Sequence, residues 1–140
     1  MIVVLHFCAK DADLMVKNLE WWISLDTKVD FHAILSHDDI TPARQVDAIK
    51  RLADQYFKST EMFWYPEPRK KSWPAAPNWA WQNTARYIAA TKNEPWFWIE
   101  SDLVAIRKNW LKDIAEEHYR NKQPFSGHVL KSHINGCAVY

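Results

Sequence analysis

The run Trp96-Phe97-Trp98-Ile99 contains no polar residue and is cut off at once by Glu100-Ser101-Asp102. An apolar stretch this short, without alternation, reads as a strand covered on both faces of its sheet. The opening Ile2-Val3-Val4-Leu5-His6-Phe7 is a second such run, rich in β-branched residues, and belongs at the centre of a sheet. Strands of this kind need covering layers, and the remaining sequence supplies them as helices.

Asp11 offers an N-cap, and Leu14, Asn18 or Leu19, Trp22 and Leu25 recur at helical steps to about Thr27. A second strand, Phe31 to Ser36, ends at His37-Asp38-Asp39, and Thr41-Pro42 follow as cap and first helical residue. Val46, Ile49, Leu52 and Tyr56 mark the face of that helix. Met62 to Tyr65 is a third strand, halted by Pro66 and Pro68. The segment from Pro66 to Pro77 holds four prolines beside Arg69, Lys70 and Lys71, and is expected to be an exposed loop. Asn78 then caps a helix through Ile88 that cannot pass Pro95, and Trp96 opens the fourth strand. Asn109 caps a helix with Trp110, Leu111, Ile114 and His118 inward, stopped near Pro124. Phe125 to Leu130 and Gly136 to Tyr140 read as short strands.

Fourfold alternation of strand and helix predicts a single α/β domain of three layers, with a mostly parallel central sheet and flanking helices, Rossmann-like in outline. Right-handed crossovers place all carboxyl ends of parallel strands on one rim, where open sheets bind ligands. His6 to Lys10, Ser36 to Asp39 and Glu100 to Asp102 are expected to converge there.

Composition removes several alternatives. A formal charge of +1 in 140 residues gives no field that would make nucleic acid or an anionic membrane the main partner. No apolar stretch approaches the roughly 20 residues of a membrane span, and Met1 to Leu5 have neither a basic region nor a cleavage site, so a soluble, cytoplasmic protein is expected. Cys8 and Cys137 stand far apart, which fits two buried, reduced thiols. Gly127 and Gly136 are the only glycines, so no glycine-rich phosphate loop is present. Nine tryptophans are more than a core absorbs, and some rings should line a surface or groove.

Seventeen acids in this chain yield about two acid-x-acid pairs by chance, so context must distinguish Glu100-Ser101-Asp102 from Asp11-Ala12-Asp13. The latter opens an amphipathic helix, where aspartate serves as cap and dipole partner. The former ends a buried strand, where carboxylates can gather around a hard divalent cation that keeps water and phosphate oxygens as its other ligands. Asp102 is the expected direct metal ligand, with Glu100 second, binding through water or holding the ribose hydroxyls.

The segments Trp79-Ala80-Trp81-Gln82-Asn83-Thr84-Ala85-Arg86, Pro95 to Val104 and Trp110-Leu111 resemble the centre of nucleotide-sugar glycosyltransferases of the GT-A fold. There a helix precedes a hydrophobic strand ending in an Asp-x-Asp-type triplet, and another helix follows. The likeness extends over the first strand, the acidic end of the second, and Pro124-Phe125-Ser126-Gly127 through Tyr140. It implies a donor such as a UDP- or GDP-linked sugar, held with Mn²⁺ or Mg²⁺ at Asp102 and Glu100. It also implies that His6, Phe7, Cys8 and Ala9 hold the base and ribose, and that Asp38 or Asp39 reads them. Asn83 and Arg86 would lie beside the donor, Ser101 would touch the ribose, His133 would contact sugar or phosphate, and Arg69 to Lys71 would act as a lid or remain solvated.

The first acid of the triplet is Glu rather than Asp. In the family, much of the acceptor site and the base would lie beyond Tyr140; no catalytic residue is assigned, and Glu116 and Glu117 are set aside as solvated. Two other readings stay open: a non-catalytic nucleotide-sugar-binding or assembly module, and a nucleotidyltransferase, which the missing glycine-rich loop disfavours.

Overall fold

A computed structural model describes residues 1–68, 72–130 and 133–140, with side chains for all of these except 128–136. In chain order the elements are β1 (Ile2–His6), α1 (Ala12–Leu25), β2 (Val29–Asp38), α2 (Ala43–Tyr56), β3 (Phe57–Tyr65), α3 (Ala75–Thr91), β4 (Trp96–Ile99), α4 (Trp110–Asn121), β5 (Ser126–Leu130) and β6 (His133–Val139).

The two unbroken apolar runs are neighbours. β1 pairs in parallel with β2 on one side and with β4 on the other, and β3 extends the sheet beyond β2, giving the order β3-β2-β1-β4-β6-β5. The sheet is mixed, because β6 runs antiparallel to both β4 and β5. Only residues 131 and 132 separate β5 from β6. A parallel pair needs a crossover of a dozen or more residues, so this pair has to be antiparallel.

Alternate residues of β1 build two cores. Val3 and Leu5 face Met15, Leu19 and Trp22 of α1, Ile49 and Tyr56 of α2, and Trp110 of α4. Ile2 and Val4 face the other way, against Trp96, Trp98, and Ala80 and Ile88 of α3. Helices therefore cover both sheet faces, as the apolar runs require. Four indoles remain outside these cores, at Trp21, Trp64, Trp73 and Trp79, as the tryptophan content predicts.

The differences from the expected elements have local causes. Met15, not Leu14, faces the sheet from α1. The Thr41 hydroxyl bonds Asp38 rather than capping a helix, so α2 starts at Ala43 behind Pro42. β3 begins directly after α2, five residues earlier than predicted. α3 begins at Ala75, inside the proline-rich stretch, and takes Pro77 in its first turn, where a backbone N–H has no partner within the helix. Among the described residues no helix is long and apolar enough to cross a membrane.

Candidate functional site

Register aligns the strand ends. His6 lies beside Ser36, and Leu5 beside both Leu35 and Ile99, so the segments leaving β1, β2 and β4 emerge on one rim. The chain steps outward from β1 to β2 to β3 and then returns to place β4 on β1's other side. The strand order thus reverses between β1 and β4, and the crevice outside such a reversal is where open α/β sheets bind ligands. Two segments meet there, His6 to Ala9 and Glu100 to Asp102.

The second of these is a turn, closed by the Leu103 N–H donating to the Glu100 carbonyl at 3.1 Å. Its middle residue is anchored from both sides. The Ser101 hydroxyl donates to the His6 carbonyl at 3.1 Å, and Asn18 Nδ2 of α1 donates to the Ser101 carbonyl at 2.6 Å. Ser101 is only 3% exposed and its hydroxyl is committed to the main chain, so it positions the turn; this corrects its expected contact with a ribose. Glu100 and Asp102 flank the anchor, the first half-buried and the second exposed. Burial raises the Glu100 carboxyl above the ordinary range, and the charges of Asp102 and Asp11 push the same way against a hydrogen bond from Trp98.

The first segment is shaped by Asp11, whose carboxylate turns back from the start of α1 to accept the Cys8 N–H at 2.7 Å. Phe7 is fully buried, stacked on His37 at 5.5 Å, so its side chain belongs to the core and not to a ligand site as expected. Ala9 is exposed and Cys8 half-buried; burial and the Asp11 charge raise the Cys8 thiol. The His6 ring stacks on Trp98 at 4.8 Å, with Nδ1 3.5 Å from the Tyr65 hydroxyl. Burial lowers the His6 pKa, which favours the neutral ring.

The acids at the end of β2 have other partners. Asp38 is buried and accepts the Thr41 hydroxyl, while exposed Asp39 accepts the Glu67 N–H at 2.8 Å. On α3, Thr84 bonds Ser36 at 2.7 Å and so fixes that helix against the rim end of β2. Asn83 is half-buried and donates to the Trp79 carbonyl of its own helix. Arg86 is exposed, about 200° around the helix from Thr84, on the side turned from the sheet. His133 opens β6, but its side chain, like all of Arg69 to Lys71, lies outside the described residues.

Asn18 in its helical face and Cys137 as a thiol are visible in the sequence, but nothing there marks either as part of the site. A buried asparagine within an apolar helical face is a detectable signal, since such an amide needs a partner. Both thiols are half-buried rather than fully buried, and burial together with Glu100 and Asp102 pushes Cys137 up to about 11.

Among the described residues no group of three or more His, Cys, Asp or Glu is gathered to hold a metal unaided. The turn offers oxygen donors from Glu100 and Asp102, a set suited to a hard cation whose remaining ligands come from water or a bound molecule. No protein-family model matches the chain, and no curated protein matches it.

Proposed function

We propose that this chain is a GT-A-like domain that binds a nucleotide-diphosphate sugar at the β1/β4 rim, with Mn²⁺ or Mg²⁺ on Asp102 and Glu100, and transfers the sugar. The observation that carries this reading is the Glu100–Leu103 turn, which sits at the point of strand-order reversal and is anchored so that both its carboxylates flank a buried serine. Two acids whose charges already act on one another are a place where a divalent cation relieves repulsion. Bound there, the cation would neutralise the charge that develops on a departing diphosphate. Asp102 is the more accessible ligand, and Glu100, held by Trp98, has less freedom to reorient. Exposed Ala9 and half-buried Cys8 are the surface left for the base or ribose, because Phe7 faces inward.

A second reading, a nucleotide-sugar-binding module without transfer, is favoured by one observation. The other rim acids are engaged: Asp11 with Cys8, Asp38 with Thr41 and Asp39 with Glu67. With Glu100 and Asp102 assigned to the cation, these three acids already accept hydrogen bonds and are less free to take the acceptor's proton.

Calorimetry with UDP and with GDP, with and without Mn²⁺, tests both readings. Metal-dependent binding of one nucleotide is expected, and Asp102→Ala should abolish the metal dependence. Absence of metal-dependent binding in the wild-type protein would falsify both. Binding without hydrolysis or transfer of any UDP- or GDP-sugar supports the module.

A further inference from the structure

Beyond the acid turn the chain runs without regular structure from Leu103 to Ile106, and this segment forms one wall of a cleft of about 820 Å³. α4 supplies the second wall, and Phe97 with the start of β5 and end of β6 the third. The cleft's volume lies within the range of small-molecule sites. Its open apolar surface comes from Val104 and Ile106, with half-buried Leu103 and Ile114 beside them and the buried Trp110 and Val139 beneath. Ile106 is 89% exposed and Val104 60%, an unusual placement for two branched aliphatic residues two positions apart on one loop.

The polar groups of the cleft narrow the choice of ligand. Among the described residues five charged side chains line it, and each has an opposite partner: Arg107 pairs with Asp113 at 2.7 Å, Arg120 with Glu117, and Glu116 with Lys112 at 3.6 Å. His118 is bonded to Ser126 at 2.9 Å. Each of these described charges is thus paired with one of opposite sign, and none is left over to hold an ionic ligand. Leu103 lines the cleft and its N–H closes the acid turn onto the Glu100 carbonyl, which places the cleft directly beside that turn.

We infer that the cleft seats the apolar body of a neutral, hydroxyl-bearing molecule, which is the acceptor class for the reaction at the neighbouring acid turn. This assignment rests on the donor-binding reading for its role as acceptor site, but not for the binding itself. The hydroxyl lies toward Asp102, where its oxygen bonds to the anomeric carbon as the bond from that carbon to the diphosphate breaks; the hydroxyl proton passes to solvent water.

Fluorescence titration with neutral N-phenyl-1-naphthylamine tests the site. Saturable binding is expected, displaced by 1-decanol and at least about tenfold tighter than that of anionic 1-anilinonaphthalene-8-sulfonate. Ile106→Glu should weaken it by about tenfold or more, a loss of roughly 1.4 kcal/mol. Because Ile106 is largely exposed, its replacement should keep the wild-type circular dichroism, and Ile40→Glu, an exposed apolar position elsewhere, should bind as wild type does. Non-saturable binding, or an Ile106→Glu variant that binds as wild type, overturns the site. So does a concentration-dependent dimer that Ile106→Glu dissociates while the dye fails to bind, since the cleft would then seat a second copy. A parallel UDP and Mn²⁺ titration separates the two claims: dye binding without metal-dependent nucleotide binding removes the acceptor role, and the reverse pattern removes the cleft ligand while leaving the donor reading intact.

Discussion

Asn18 does more for the acid turn than either of its carboxylates does for the fold. Its amide is buried and holds the Ser101 carbonyl at 2.6 Å, so its removal strands a buried acceptor. Such a loss costs about 1–3 kcal/mol. Asn18→Ala should lower the urea midpoint accordingly, and it should weaken metal-dependent nucleotide binding more than Asn83→Ala, whose amide bonds only its own helix. An unchanged midpoint would show that the bond contributes nothing. At this scale the sequence was legible where a residue's type fixes its place, as with the apolar run before Glu100. It was not legible where a polar residue's partner lies far along the chain. Ser101 between two acids suggests a ligand contact, and only the bond to His6, 95 residues away, shows it facing inward. Phe7 misled for the same reason, since its burial depends on α1 and α2 covering that face.

Between elements, α3 is stapled to the sheet edge by Glu61 of β3, which accepts from Lys92 at 2.8 Å, from the Tyr87 hydroxyl, and faces His32 of β2 at 3.1 Å. The Lys92 hydrogen bond, followed by that of His32, holds the Glu61 carboxyl below the ordinary glutamate value of 4.5. A carboxyl whose folded pKa is depressed contributes stability that is fully present above its unfolded value and is lost as pH falls through the folded one. Stability should therefore decline below about pH 4.5, and Glu61→Gln should flatten that acid limb while lowering stability at pH 7 by about 1 kcal/mol. Denaturant titrations at pH 3 to 7 measure both effects, and identical acid limbs would remove Glu61 as a cause. Most of the elements were readable from period and caps, but their limits were not. The start of α3 was hidden because prolines usually mark loops, although a proline in a first helical turn breaks no bond. The antiparallel β6 was hidden because its direction follows from the two-residue separation from β5, while the predicted strands left a longer gap.

Across the whole molecule one aromatic cluster joins three helices. Trp22 of α1 packs at 6.0 Å from Tyr56 of α2 and 5.0 Å from Trp110 of α4, whose indole N–H donates to the Tyr56 hydroxyl at 3.1 Å. Trp110→Ala should cost about 3–5 kcal/mol, as for other buried aromatic truncations. If the three layers form one cooperative unit, near- and far-ultraviolet dichroism will report the same shifted urea transition. Separate transitions would mean that α4 unfolds by itself. The anchoring of the acid turn also has a kinetic side. Its two bonds span 83 and 95 residues, so neither can form until Ser101 has been made and β4 has docked beside β1. At ribosomal speeds of about 5–20 residues per second, His6 and Asn18 wait on the order of ten seconds for their partner. During that interval β1 has an open flank where β4 will later lie. Long-range closure of this kind slows folding, and it makes the emerging chain most vulnerable to mispairing just before the acid turn appears.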